Sequence, residues 1–219
     1  MVKQSSVSRR ICIGPTIKRD FFAPSDWEAL DARDADLGGS NPLPLEVSGG
    51  GPALILALGK DRKAYLLNRK NLGGIGGQLA VETVSERFII TAPATYPATD
   101  GIFVALQAEG THCPTQARGL LTLKIRPGLP SAITTAWCAS LRGRGAPIVT
   151  TTDGHSNPIV WVLGAEGDNQ LHGFRGDTGE KVFNGSPQAM TGLRHFQTLI
   201  ATEDRLYVAA DGTIYAFHF

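Results

Sequence analysis

Between positions 150 and 156 the chain places Asp153, His155 and Ser156 within four residues of one another. These are the types of an acid, a base and a nucleophile. A catalytic triad is assembled in space, however, and the strained Gly-x-Ser-x-Gly elbow of serine hydrolases is absent around Ser156. Thr152, Gly154 and Asn157 are turn formers, so the segment reads as a polar turn that presents Asp153 and His155. Glu166, Asp168 and Asn169 gather oxygen-bearing side chains in one turn, and Trp27, Trp137 and Trp161 are the three tryptophans of the chain. The same residue types cap turns and fill the space between packed sheets.

Other chemistry-bearing motifs reduce to structure. His112 beside Cys113 lacks partners at zinc-ligand spacings. The run Leu72-Gly73-Gly74-Ile75-Gly76-Gly77 breaks the dinucleotide-binding spacing at Leu79 and reads as a flexible loop. Arg142-Gly143-Arg144 is too short for a nucleic-acid patch. His172 and His195 sit on strand-like runs and read as satisfied core or interface groups. Asn184-Gly185-Ser186 has the glycosylation pattern, which matters only in a glycosylating secretory route.

The elements that must carry these residues are strands. Gly and Pro (26 and 13 residues) cluster between short β-branched and aromatic runs, the usage expected of strands joined by tight turns. Strand-length runs fall at 54–58, 64–68, 80–84, 88–96, 102–107, 120–125, 133–138, 148–152, 159–163, 171–174, 182–183, 196–201, 206–210 and 214–217. Residues 41–47 begin a strand that Pro42 and Pro44 restrict to an edge or a start. Residues 21–39 form a long connection in which Ser25-Asp26-Trp27-Glu28 could cap one helical turn.

At 42% hydrophobic over 219 residues the chain can bury a substantial core. Its 21 basic and 20 acidic residues give a net charge of +1, so nothing global steers it toward nucleic acid or an anionic membrane. No apolar run reaches the length of a membrane-spanning helix. Residues 11–15 are too short for the apolar core of a secretory signal, so no export signal is read in this chain.

One unit recurs. Ala64-Tyr65-Leu66-Leu67, Leu120-Leu121-Thr122-Leu123, Leu171-His172-Gly173-Phe174 and Ile214-Tyr215-Ala216-Phe217 align at intervals of 56, 51 and 43 residues. A period of about 40 to 50 residues with four short strands per unit marks a β-propeller blade. The expectation is an all-β propeller of about four visible blades over residues 23–219, the last lacking a fourth strand, preceded by an arm over residues 1–22. A β-sandwich is the alternative, and it leaves the repeat unexplained.

These residues resemble the quinoprotein-like propeller family, the repeat of pyrroloquinoline quinone (PQQ) dehydrogenases and their non-enzymatic relatives. Asp177-Thr178-Gly179-Glu180-Lys181-Val182-Phe183 is similar to the family's blade signature, with Phe183 where Trp is usual. Gly59-Lys60-Asp61 and Ala210-Asp211-Gly212, each followed by its apolar run, are similar to the family's second-to-third-strand hairpin. The resemblance implies a C-terminal portion of a longer propeller, in a periplasmic or extracellular setting. An intra-blade disulfide between Cys113 and Cys138 and two buried thiols both suit the spacing; the exported habit of the family is what brings the disulfide forward. Cys12 then remains a free thiol.

For function the resemblance implies either of two things. One is a non-catalytic binding or scaffold module with no cofactor. It would bind a protein or small molecule through loops at one end of the blades, carrying Lys60, Asp61, Arg62, Asp153, His155, Glu166, Asp168 and Asn169, and could self-associate through open blade edges. The alternative is a fragment of a dehydrogenase that uses PQQ and Ca²⁺, for which the resemblance implies oxygen ligands from Glu166, Asp168 or Asn169 and an aromatic floor from Trp27, Trp137 or Trp161. The adjacent cysteine pair of the alcohol-oxidising members does not occur in this sequence.

Overall fold

The computed structural model describes residues 21–46, 52–98, 101–114, 116–128, 130–185, 189–197 and 199–218. It begins with β1 (Phe22–Ala23) and one short helix, α1 (Trp27–Asp31). Asp26 stands at the N-cap, but its carboxylate makes no capping bond; it lies 3.5 Å from Lys63 Nζ instead. β1 straddles the expected boundary at residue 22.

Four antiparallel sheets follow. The first contains β2 (Leu43–Leu45), β3 (Leu54–Leu58), β4 (Lys63–Asn68) and, after the two-residue β5 (Gly74–Ile75), β6 (Ala80–Thr83). The second is β7 (Ala94–Ala98), β8 (Gly101–Ala108), β9 (Gly119–Arg126) and β10 (Ala132–Ser140). The third is β11 (Ile148–Thr150), β12 (Ile159–Leu163), β13 (Leu171–Arg175) and β14 (Lys181–Asn184). The fourth is β15 (Leu199–Ala201), β16 (Arg205–Ala210) and β17 (Thr213–His218), three-stranded among the described residues.

In each sheet the strands are ordered as in the sequence, and the first strands β2, β7, β11 and β15 contact one another in succession. This is the blade organisation of a β-propeller. All four repeats read from the sequence fall on the third strand of a sheet, at β4, β9, β13 and β17.

Each junction between sheets holds its own apolar core. Leu56, Leu58 and Leu66 of the first sheet meet Val104, Leu106 and Leu123 of the second. Ala105, Leu120 and Trp137 of the second meet Val160, Val162 and Phe174 of the third. Trp161, Leu163 and Leu171 of the third meet Leu199, Leu206 and Val208 of the fourth. Inner strands are therefore covered on both faces, which is why Leu54-Ile55-Leu56-Ala57-Leu58 is continuously apolar and does not alternate.

The two outer faces of the series differ. On the first sheet Tyr65, Ala57 and Leu67 are covered by Phe22, Leu37 and Leu72, so the connection over 21–39 and the loop after β4 act as a cover. On the fourth sheet Ile200 and Ile214 are 68% and 73% exposed.

The strand read at 196–201 begins at Leu199, with Phe196 in a turn at φ +68°, and two further expectations change. The strand read at 88–96 begins at Ala94; the preceding residues run from the outermost strand of one blade to the innermost of the next, and Ile89 buried in the junction gives them a strand-like composition. The loop read over 69–77 contains β5, which pairs in parallel with β1. Gly73 and Gly77 lie backbone against backbone, so a Cβ on Gly73, at φ +89°, would come within 2.5 Å of the Gly77 carbonyl oxygen.

Candidate functional site

In a meander of four strands, the turns after the first and third strands emerge at one end of the blade. The turn after the second strand and the connector to the next blade emerge at the other. The expected recognition residues divide accordingly. Asp153 and His155 belong to the turn between β11 and β12, whereas Lys60, Asp61, Arg62, Glu166, Asp168 and Asn169 belong to second-to-third-strand turns. The expectation that all of these loops share one end is thus corrected by strand parity.

At the Asp153 turn, the carboxylate accepts the backbone N–H groups of Ser156 and His155 and the Ser156 hydroxyl. The Ser156 backbone, then its hydroxyl, then the His155 backbone lower the Asp153 carboxyl to about 2. Ser156 donates to Asp153, so the three residues close a turn and build no nucleophile relay.

At the other end, Lys60 pairs with Asp36 at 2.8 Å and Asp34 at 3.1 Å, fastening the covering segment to the first blade. The Asp61 side chain is 3% exposed and accepts the Tyr65 hydroxyl. Burial and then Asp61 push that phenol well above its ordinary value. Asp168 accepts the backbone N–H of Gln170 at 3.1 Å and faces His172 Nε2 at 3.0 Å. Asn169 accepts the backbone N–H of Glu166. Glu166 Oε1 meets His195 Nδ1 at 2.7 Å, and that bond holds its carboxyl below the usual range.

Glu166, Asp168 and Asn169 are thus each engaged with a different partner. Among the described residues no group of three or more His, Cys, Asp or Glu side chains could hold a metal. Trp137 and Trp161 are buried at blade junctions rather than laid flat as a cofactor floor, and Trp27 is exposed on α1.

The second-to-third-strand end holds a cavity of about 570 Å³ spanning three blades. Arg62 comes from the first blade, Glu109 and Arg118 from the second, Glu166 from the third, and the connectors contribute Glu86, Arg87, Phe88 and Arg144. Arg118 Nη1 lies 2.8 Å from Glu86 and 3.2 Å from Glu109, and Arg87 Nε lies 3.0 Å from Glu109. Glu86 first and Glu109 second raise the Arg118 guanidinium above its ordinary value.

The wall is held by backbone. Arg62 adopts φ +73° while its carbonyl accepts the N–H groups of Val84 and Ser85. The Arg144 N–H donates to the Ala165 carbonyl at 2.9 Å, and Gly143, at φ +132°, packs so closely on Gly164 that a Cβ would fall 2.2 Å from its carbonyl carbon. Cys113, in the loop after β8, and Cys138, on β10, form a disulfide with Cα atoms 5.6 Å apart.

Of the residues lining the cavity, Arg62 and Glu166 are among the recognition residues expected from the sequence, Arg144 is read there only as part of a basic run too short for a nucleic-acid patch, and Phe88 and Arg118 are not singled out. The Arg-Gly-Arg-Gly alternation at 142–145 was the available signal, because glycine at every second position lets one backbone lie directly on another.

These features define a β-propeller module with a charged cavity at one end of its blades. No family model and no curated protein matches the sequence. Among solved structures the chain is similar to the crystal structure of BamB from Moraxella catarrhalis, at 15% identity and a TM-score of 0.38. The match covers 82% of this chain and 58% of that one. The blade architecture rests on the strand pairings described above.

Proposed function

We propose that this chain is a non-catalytic binding or scaffold module of the PQQ-repeat propeller kind, which recognises its ligand at the end of the blades carrying Arg62, Phe88 and Arg144. The supporting observation is the cavity: three blades and their connectors meet there on a wall fixed by backbone contacts. The carboxylates that suggested catalysis or Ca²⁺ binding are engaged in turn closure and ion pairs. A disulfide between Cys113 and Cys138 suits an oxidising, exported setting. Among the described residues no helix is long and apolar enough to cross a membrane. The fourth blade adds a second association surface, with a free β17 edge among the described residues and exposed Ile200 and Ile214.

The test is turnover and binding measured on the purified chain. Dye-linked oxidation of alcohols and aldoses is assayed with added PQQ and Ca²⁺, and Ca²⁺-dependent turnover would overturn the reading in favour of a quinoprotein dehydrogenase fragment.

A further inference from the structure

We infer that the cavity at the second-to-third-strand end is a docking site for an acidic peptide segment of a partner protein, with Arg62 and Arg144 taking its carboxylates and Phe88 its apolar side chain. This rests on the reading of that end as the binding face.

The charge balance of the wall points to an anion. Glu109 is neutralised by Arg87 and Arg118, and Glu86 by Arg118. Glu166 is held by the ring and the backbone N–H of His195. Every carboxylate lining the cavity is therefore engaged. Among the described residues the Arg62 and Arg144 guanidiniums make no ion pair or side-chain hydrogen bond. The lining carries four arginines against three glutamates, a formal surplus of one positive charge, and the two guanidiniums without an ion pair stand on the first blade and on the strap between the second and third. Planar guanidiniums bind carboxylates with two parallel hydrogen bonds, so they supply direction as well as charge.

Both cations stand on fixed backbone. Arg62 keeps a left-handed conformation that glycine would adopt with less strain, and its carbonyl is tied to Val84 and Ser85. Arg144 sits between Gly143 and Gly145, whose missing side chains let the strap lie on the third blade. A ligand entering the cavity then orders two side chains and no loop, which lowers the cost of binding.

A peptide suits this site better than a small acid. Small-molecule sites are mostly apolar and enclose their ligand, whereas charged side chains make up half of the residues lining this cavity. Phe88, 61% exposed at the rim, is of the aromatic type that, together with Arg, anchors protein interfaces.

The experiment uses the full chain and fluorescence anisotropy with a fluorescein-labelled peptide of alternating glutamate and phenylalanine, beside the same peptide with glutamine for glutamate. The glutamate peptide is expected to bind about ten-fold or more tightly than the glutamine one, since each charge-assisted pair lost costs roughly a factor of ten. R62Q/R144Q is expected to lose that preference at an unchanged melting temperature. R126Q, which alters a cation at the opposite end of β9, is expected to keep it, and F88A to weaken both peptides. Equal binding of the two peptides overturns the acidic specificity and leaves the binding face standing. Displacement by phenylpropionate as strong as by unlabelled peptide assigns the cavity to a small carboxylate and overturns the peptide. Hydrogen-exchange protection at another face, with binding intact in R62Q/R144Q, overturns the site and the binding face together.

Discussion

Trp137, on the outermost strand of the second blade, donates its indole N–H to the carbonyl of Gly176 in the third blade at 2.7 Å. The Tyr96 hydroxyl, from the innermost strand of the second blade, donates to the same carbonyl at 2.8 Å. The ring of Trp137 lies against Gly179, at φ +75°, where a Cβ would approach Cε3 to 2.5 Å. The Asp177-Thr178-Gly179 signature is thus the seat for the preceding blade's tryptophan. Replacing Trp137 with Ala is expected to destabilise the chain by about 3 to 5 kcal/mol, as for a large buried aromatic. W137F, which keeps most of the ring, is expected to cost less, with a large part of the loss being the bond to Gly176. Gly179→Ala is expected to destabilise through both the clash and the backbone strain. Denaturant unfolding of the three variants checks the order.

Asp61 and Tyr65 form a buried pair at the first hairpin, with Lys63 Nζ 3.7 Å from the carboxylate. Removing one partner strands the other. Asp61→Ala and Tyr65→Phe are each expected to cost about 1 to 3 kcal/mol, and the double variant less than their sum. A double-mutant cycle in urea reads the coupling, and strict additivity would contradict the pair.

The disulfide between Cys113 and Cys138 closes a loop with a sequence separation of 25 and pins the connection that ends at Arg118. Its reduction, or a Cys113→Ser/Cys138→Ser double variant, is expected to lower stability by about 2 to 4 kcal/mol. Unfolding with and without reductant measures the effect, and an unchanged midpoint would count against it.

The Asp153 carboxyl, at about 2, lies below the ordinary 3.8. A depressed carboxyl supports its turn above the unfolded value and loses that support as pH falls through the folded one. The turn over 153–157 is therefore expected to stay ordered down to about pH 4 and to loosen as pH approaches about 2. Ser156→Ala removes the hydroxyl bond and is expected to shift the Asp153 titration upward, toward 3.8, with the backbone bonds retaining part of the depression. Carboxyl-carbon NMR through the acid range follows the midpoint directly.

β17 ends the fourth sheet among the described residues, and Ile214 on its outward face is 73% exposed. Concentration-dependent self-association is expected, and Ile214→Lys is expected to reduce it by placing a charge on the apolar face. Sedimentation velocity over a range of concentrations makes the comparison, and a native chain that stays monomeric throughout would contradict the expectation.

The sequence by itself determined the all-β class, the four third strands and the recurring hairpins, because apolar runs and turn formers act over a few residues and leave a local record. It also set the first blade's covering segment apart, though not its role: Phe22, Leu37 and Leu72 become a cover only when β4 turns Tyr65 toward them. Only the tertiary structure decided which loops share an end, since strand parity moves Asp153 and His155 away from Arg62 and Glu166. It likewise decided that Trp137 is a wedge seated on Gly179, and that Arg62 and Arg144, 82 positions apart in the sequence, line one cavity. Their convergence follows from stacking one blade on the next, a long-range packing result for which no local pattern of residue types has a signature.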